Sequence, residues 1–160
     1  MEETYMENGL ENSQVLASRS SRLCASILDG LILSVILLPL IYFMGGFDGM
    51  LQNPPVEQSF IQQLLFGIIG FGLYCAINWK LLAQSGQTIG KKALNIKVVT
   101  IDGNKASVYN LVFKRYAFSI FVGYIPVIGG ILSIANVLFI FGSQKRTLHD
   151  HIASTKVVVS

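Results

Sequence analysis

The stretch "SRLCASILDGLILSVILLPLIYFM", residues 21–44, decides the fold. From Leu23 to Met44 it carries one charge, Asp29, and a helix over those 22 residues is about 33 Å long, enough to cross the hydrocarbon of a bilayer. An aspartate near the middle of a spanning helix costs about 2.5–3.5 kcal/mol, whereas each Leu, Ile, Val or Phe contributes about −0.3 to −0.6 on the same scale. The run holds 13 such residues, so Asp29 does not prevent a span. It does require a partner, because an isolated carboxylate in hydrocarbon protonates or draws in water.

The rest of the chain extends this reading. Of 160 residues, 52% are hydrophobic and 13% charged, about half the charge of an ordinary soluble domain, and the mean hydropathy is +0.56. The apolar residues are clumped rather than periodic. We expect an all-α membrane protein, a four-segment helical bundle with a small β element. Residues 1–16 form a polar tail, and 17–159 form the membrane domain with spans about 22–44, 59–82, 108–124 and 127–142. The run 21–44 exceeds a signal-peptide core in length, so no cleaved signal is expected. Cys24 and Cys75 lie in apolar runs and read as packing residues rather than a disulfide framework.

Charge sets the orientation. All twelve Lys and Arg fall in residues 1–22, 80–115 and 145–156, and the Gly- and Pro-rich loop 45–58 has only Asp48 and Glu57. The positive-inside rule then places both termini and the 83–107 segment in the cytoplasm, so that the final apolar region crosses an even number of times. The reading is four membrane segments, the fourth of them a span or a re-entrant half-helix. Within 86–108 the alternation of "ALNIKVVTIDGNKASVY" around Asp102-Gly103 predicts a cytoplasmic hairpin. "IKVV" at 96–99 echoes "TKVV" at 155–158, which predicts that the two strands pair in one small sheet.

Three stretches together resemble the RDD family, named for one arginine and two aspartates. They are Arg22 with Asp29 in the first helix, "GQTIGKKALNIKVVTIDG" at 86–103, and "KRTLHDHIASTKVVV" at 145–159, with Asp150 as the second aspartate. The resemblance covers residues 17–159 and implies a multi-pass membrane protein that transports an unidentified ligand.

Arg22 lies two turns below Asp29 on the same face, about 10 Å away along the axis. By depth, Asp29, Asn78 and Asn136 are expected to face one polar pocket between helices. With Arg22 and Asp150 they form the candidate polar cluster. It is either a cation- or proton-binding site or a network that fixes helix packing.

"GQTIGKK" has one residue too few between its glycines for a nucleotide-binding loop, and Lys91 is followed by Lys92 rather than Ser or Thr. We expect the two lysines at the lipid headgroups. "HDH" at 149–151 is a poor metal site, because adjacent residues do not converge on one ion. The bland reading pairs Asp150 with Lys145 or Arg146, or has it cap the start of the last strand. Gly67, Gly70 and Gly72 are expected to let helices approach. The expectations are therefore no enzyme, no metal, no cofactor and no nucleic acid. The partners expected are the lipid bilayer and a second copy or another membrane protein. Cation or proton exchange and a scaffold or accessory role with a basic cytoplasmic face stand as the two functional readings, in the cell (inner) membrane.

Overall fold

The computed structural model describes residues 14–117, 131, 138–139 and 146–160. In chain order the elements are α1 (Arg19–Phe43), α2 (Phe60–Ser85), α3 (Ile89–Ala93), β1 (Ile96–Thr100), a π-helix (Asn110–Ala117), α4 (Leu148–Ile152) and β2 (Thr155–Val159).

Helix α1 starts where Ser18, in extended backbone, accepts a hydrogen bond from the Ser21 N–H at 3.0 Å, satisfying one of the free donors of the first turn. Its polarity is inverted. Arg22, Ala25 and Asp29, spaced three and four apart, are its buried residues, while Leu23, Ile27, Leu31 and Val35 are exposed. Helix α2 begins at the Ser59 cap and ends at Gly86, whose φ of 68° is the left-handed stop that glycine adopts without strain. Both helices are long and apolar enough to cross a membrane, and only 11% and 22% of their most apolar windows are buried. A helix in the core of a soluble protein would be buried over most of that length. α1 and α2 fall on the stretches 22–44 and 59–82 that the sequence marks as the first two apolar runs.

The two helices touch where Leu37 packs on Gly70, at which a Cβ would lie 3.1 Å from the Leu37 Cδ2. Gly67 and Gly70 are buried, as close approach requires; Gly72 is exposed and meets nothing, so it is not part of the contact. Both cysteines are free, Cys24 exposed and Cys75 packed against the core cluster.

At the end where α1 starts and α2 stops, the remaining elements form a cap. β1 and β2 pair antiparallel, with Val98 opposite Val157. The expected hairpin is reduced to a single bridge, Val99 to Lys105, across the turn at Thr100–Asn104. The other edge of β2 is covered by the segment before α1, through a Leu16–Val158 bridge and hydrogen bonds from Ala17 N to Val157 O (3.0 Å) and Val159 N to Val15 O (2.9 Å). Both sheet edges are therefore shielded, which a two-stranded ribbon needs in order to persist. Leu82, Ile96, Val98, Leu111 and Val157 form the core of the cap, with Phe71 and Tyr74 of α2 against it.

The segment predicted as a third span begins inside this cap. Leu111, Val112, Arg115 and Tyr116 of the π-helix are buried, and Tyr109 and Phe113 face outward. Most of the two later predicted spans, including Asn136, lies outside the described residues.

Candidate functional site

Asp29 projects from α1 into the turn that opens α3. Its Oδ2 accepts a hydrogen bond from the Thr88 hydroxyl at 2.5 Å, and its Oδ1 accepts one from the Gly90 N–H at 2.7 Å. Thr88 is also the N-cap of α3, 3.4 Å from the Lys91 N–H. The Lys91 ammonium lies 3.6 Å from Asp29 Oδ2. Asp29 is only 7% exposed and Lys91 6%, so the attraction acts with little solvent screening.

Glycine at position 90 is a geometric requirement. A Cβ there would lie 2.2 Å from the Ala25 carbonyl oxygen and 2.9 Å from Asp29 Oδ1. The expectation that Lys91 and Lys92 both sit at headgroups is therefore corrected. Lys92 is exposed, but Lys91 turns inward because a buried carboxylate supplies the charge that water would otherwise screen. Its ammonium also lies 5.5 Å from the Tyr116 ring centre.

Asn78 supports the same turn from α2. Its side-chain oxygen accepts from the Ile89 N–H at 2.9 Å, and its amide donates to the Tyr74 carbonyl at 3.0 Å. Asn78 and Asp29 thus hold consecutive N–H groups of α3, those of Ile89 and Gly90.

The second aspartate anchors the other half of the cap. Asp150 is 1% exposed; its Oδ1 pairs with Arg115 and its Oδ2 accepts from the Thr147 N–H at 3.1 Å and the Thr147 hydroxyl at 2.9 Å. This Asp–Thr box starts α4. Arg115 also donates to the Thr155 hydroxyl at 2.9 Å. Arg22 reaches across from α1, 3.8 Å from Asp150 Oδ2, and donates to the Val157 carbonyl at 2.8 Å. Arg146 donates to the backbone oxygens of Thr155 and Asp150. Asp150 therefore caps the start of α4 rather than that of the last strand, and among the described residues it forms ion pairs with Arg115 and Arg22.

Three buried cations, Arg22, Lys91 and Arg115, meet two buried carboxylates. His149 sits beside them, its Nε2 2.9 Å from the Thr147 hydroxyl. Burial, and then the positive charges of Arg115, Lys91 and Arg22, hold its pKa well below the usual histidine value. Among the described residues, no three His, Cys, Asp or Glu side chains cluster as metal ligands do.

Of the five candidate residues, Arg22 and Asp150 come together directly. Asp29 and Asn78 meet through α3, and Asn136 is outside the described residues. Sequence reasoning missed Thr88, Gly90, Lys91 and Arg115. The signal for Arg115 was a cation lodged in an apolar run, the mirror of Asp29.

The three stretches singled out in the sequence, around Arg22–Asp29, Gly86–Gly103 and Lys145–Val159, thus converge on one network. The family model described as RDD family matches residues 16–154, which contain every residue of that network except Thr155 and Val157. The chain belongs to the RDD family. Among its relatives, Uncharacterized protein YxaI of Bacillus subtilis (strain 168) is 28% identical over 151 residues, covering 86% of this chain and 93% of that one. Uncharacterized protein YckC of the same strain is 31% identical over 136 residues, covering 85% and 80%. No solved structure matches this RDD chain. Family membership and the two apolar helices together point to a small membrane protein. In this RDD protein the arginine and both aspartates bind the cap to the helix pair.

Proposed function

We propose that this protein is a multi-pass protein of the cell membrane that acts as a scaffold or accessory subunit. In this reading both termini and the cap are cytoplasmic, and the basic cap face meets anionic lipid or a membrane protein partner, including a second copy. Orientation is supported by charge: residues 23–79 contain no Lys or Arg, whereas Arg19, Lys80, Lys92, Lys105 and Lys114 are exposed at the cap end. The even number of crossings is supported by the meeting of Arg115 and Asp150, which bring the two ends of the last apolar region back to the same place.

The observation that carries the scaffold reading is the occupancy of the two carboxylates. Asp29 is used by Thr88, Gly90 and Lys91, and Asp150 by Arg115, Arg22 and Thr147. A carrier's carboxylate must exchange partners with an ion or proton during turnover, whereas these bind the fold to itself. The test is cation flux driven by a pH gradient in reconstituted vesicles, with thermal unfolding measured in parallel. The expected result is no flux above protein-free vesicles and a lower unfolding temperature for Asp29→Asn. Wild-type flux that Asp29→Asn abolishes without changing unfolding would overturn the scaffold reading in favour of cation or proton exchange.

A further inference from the structure

The far end of the helix pair carries a cavity that the cap network does not use. It lies between the last turns of α1, the loop 45–58 and the first turns of α2, and has a volume of about 730 Å³, within the usual range for a small-molecule site. Leu38, Ile41, Phe47, Met50 and Phe66 give it an apolar, partly aromatic wall, and among the described residues Glu57 is its one charged lining residue.

The wall is built. The loop is folded back by a hydrogen bond from Val56 N to Gly49 O at 2.9 Å, and the Gln58 amide donates to the Gly46 carbonyl. Gly46 is buried where the loop presses on both helices: a Cβ there would lie 2.3 Å from Ile41 Cγ2 and 2.9 Å from Phe66 Cε2.

Charge narrows the occupant. The loop has Asp48 and Glu57, and no Lys or Arg occurs anywhere from residue 23 to 79. An anionic ligand, or a phospholipid phosphate, would meet a carboxylate with no cation to balance it. A cation with apolar substituents meets the opposite situation: a carboxylate at the lining, aromatic rings that attract positive charge, and aliphatic wall for its substituents. Met50 adds an unbranched side chain that adapts to irregular shapes. We propose that this cavity binds a lipophilic cation, a quaternary ammonium or phosphonium carrying aromatic or alkyl groups. The site is at the opposite end of the helices from the network that fixes the cap, so it stands independently of the scaffold reading.

The test uses the full chain purified in an uncharged maltoside detergent, with equilibrium dialysis of labelled tetraphenylphosphonium. Tetraphenylborate, of the same shape and opposite charge, is the comparison. The expected result is saturable binding of one phosphonium per chain, at least tenfold weaker for tetraphenylborate and at least tenfold weaker in Glu57→Gln. Glu57 is exposed, so the glutamine variant keeps its fold, checked by unchanged helical circular dichroism. Met50→Trp, which fills the cavity from an exposed position, lowers phosphonium binding as well. Uptake that does not saturate above empty micelles overturns the proposal, as does equal binding of the borate or undiminished binding by Glu57→Gln.

Discussion

Asp29 accepts a hydrogen bond from the Gly90 backbone N–H at 2.7 Å, joining two residues 61 positions apart in sequence. This bond seats the turn after α2 on the first helix. It also answers why an acid lies in an apolar run: its partners are a hydroxyl, a peptide N–H and an ammonium supplied by one short segment. A buried ion pair adds little by comparison with a well-packed apolar pair, but removing one member strands the other at a cost of about 3–5 kcal/mol.

Asp29→Asn removes the counter-charge of Lys91 and leaves one carbonyl oxygen where two carboxylate oxygens accepted. The expected loss is about 3 kcal/mol, read as a lower unfolding temperature in detergent and lower abundance in the membrane. Adding Lys91→Met to that variant is expected to recover part of the loss, since no unpaired ammonium then remains. An Asn variant that unfolds like the wild type would remove Asp29 from the latch.

Gly90→Ala tests the same contact by shape rather than charge. The new Cβ would lie 2.2 Å from the Ala25 carbonyl oxygen, which belongs to helix backbone and has little freedom to retreat. The expected cost is about 1–3 kcal/mol or more, with α3 displaced from α1. Gly72→Ala, at an exposed position with nothing within 4 Å, is the control and should be near neutral or slightly stabilising through helix propensity. Comparable effects from the two would contradict the packing described.

Strand pairing is tested by cysteines in a background of Cys24→Ser and Cys75→Ser. Val98 and Val157 face each other in the antiparallel register, so Val98→Cys with Val157→Cys should crosslink readily under mild oxidation. Lys105→Cys with Val157→Cys should crosslink more slowly, because Lys105 bridges Val99 on the far side of β1. Equal or reversed yields would contradict the register.

His149 predicts an acid-side loss of stability. Its folded pKa lies well below the unfolded value, so the unfolded chain takes up the proton first. The contribution is fully present above about pH 6.5 and is lost as the pH falls toward the depressed folded value. His149→Gln should flatten the unfolding temperature between about pH 6.5 and 5 relative to wild type. A His149→Gln profile that still falls as steeply would assign the acid sensitivity elsewhere.

What could be read from sequence follows from locality. The two helices were legible because a long apolar run needs only its own length to declare itself. The pairing of the two strands was legible because "IKVV" and "TKVV" repeat one short pattern, but the antiparallel register was not, since of the like positions in the two stretches only Val98 and Val157 face each other. Arg22, Asp29 and Asp150 stood out, but their partners did not. Asp29 meets Thr88 across 59 positions and Asp150 meets Arg115 across 35, and no local pattern encodes such pairings. Lys91 reads in the sequence as a headgroup anchor because it stands beside a second lysine, Lys92, just after an apolar run. In a five-residue helix, however, successive side chains point to different faces, and one of those faces lies on Asp29. Arg115 falls inside the predicted third span, 108–124. A cation and an acid each stranded in apolar sequence are both expensive alone, and that shared cost was the available hint that charged residues far apart in sequence would meet.

The arginine and aspartate network latches the cap to the helices, and a double-mutant cycle on Arg22 of α1 and Asp150 of the cap measures this most directly. Unfolding free energies in detergent are compared for wild type, Arg22→Gln, Asp150→Asn and the double variant. Each single change is expected to cost about 3–5 kcal/mol, and the double variant clearly less than their sum, with a coupling of about 2–3 kcal/mol. Effects that add within about 0.5 kcal/mol would contradict it, because residues whose losses add do not hold each other.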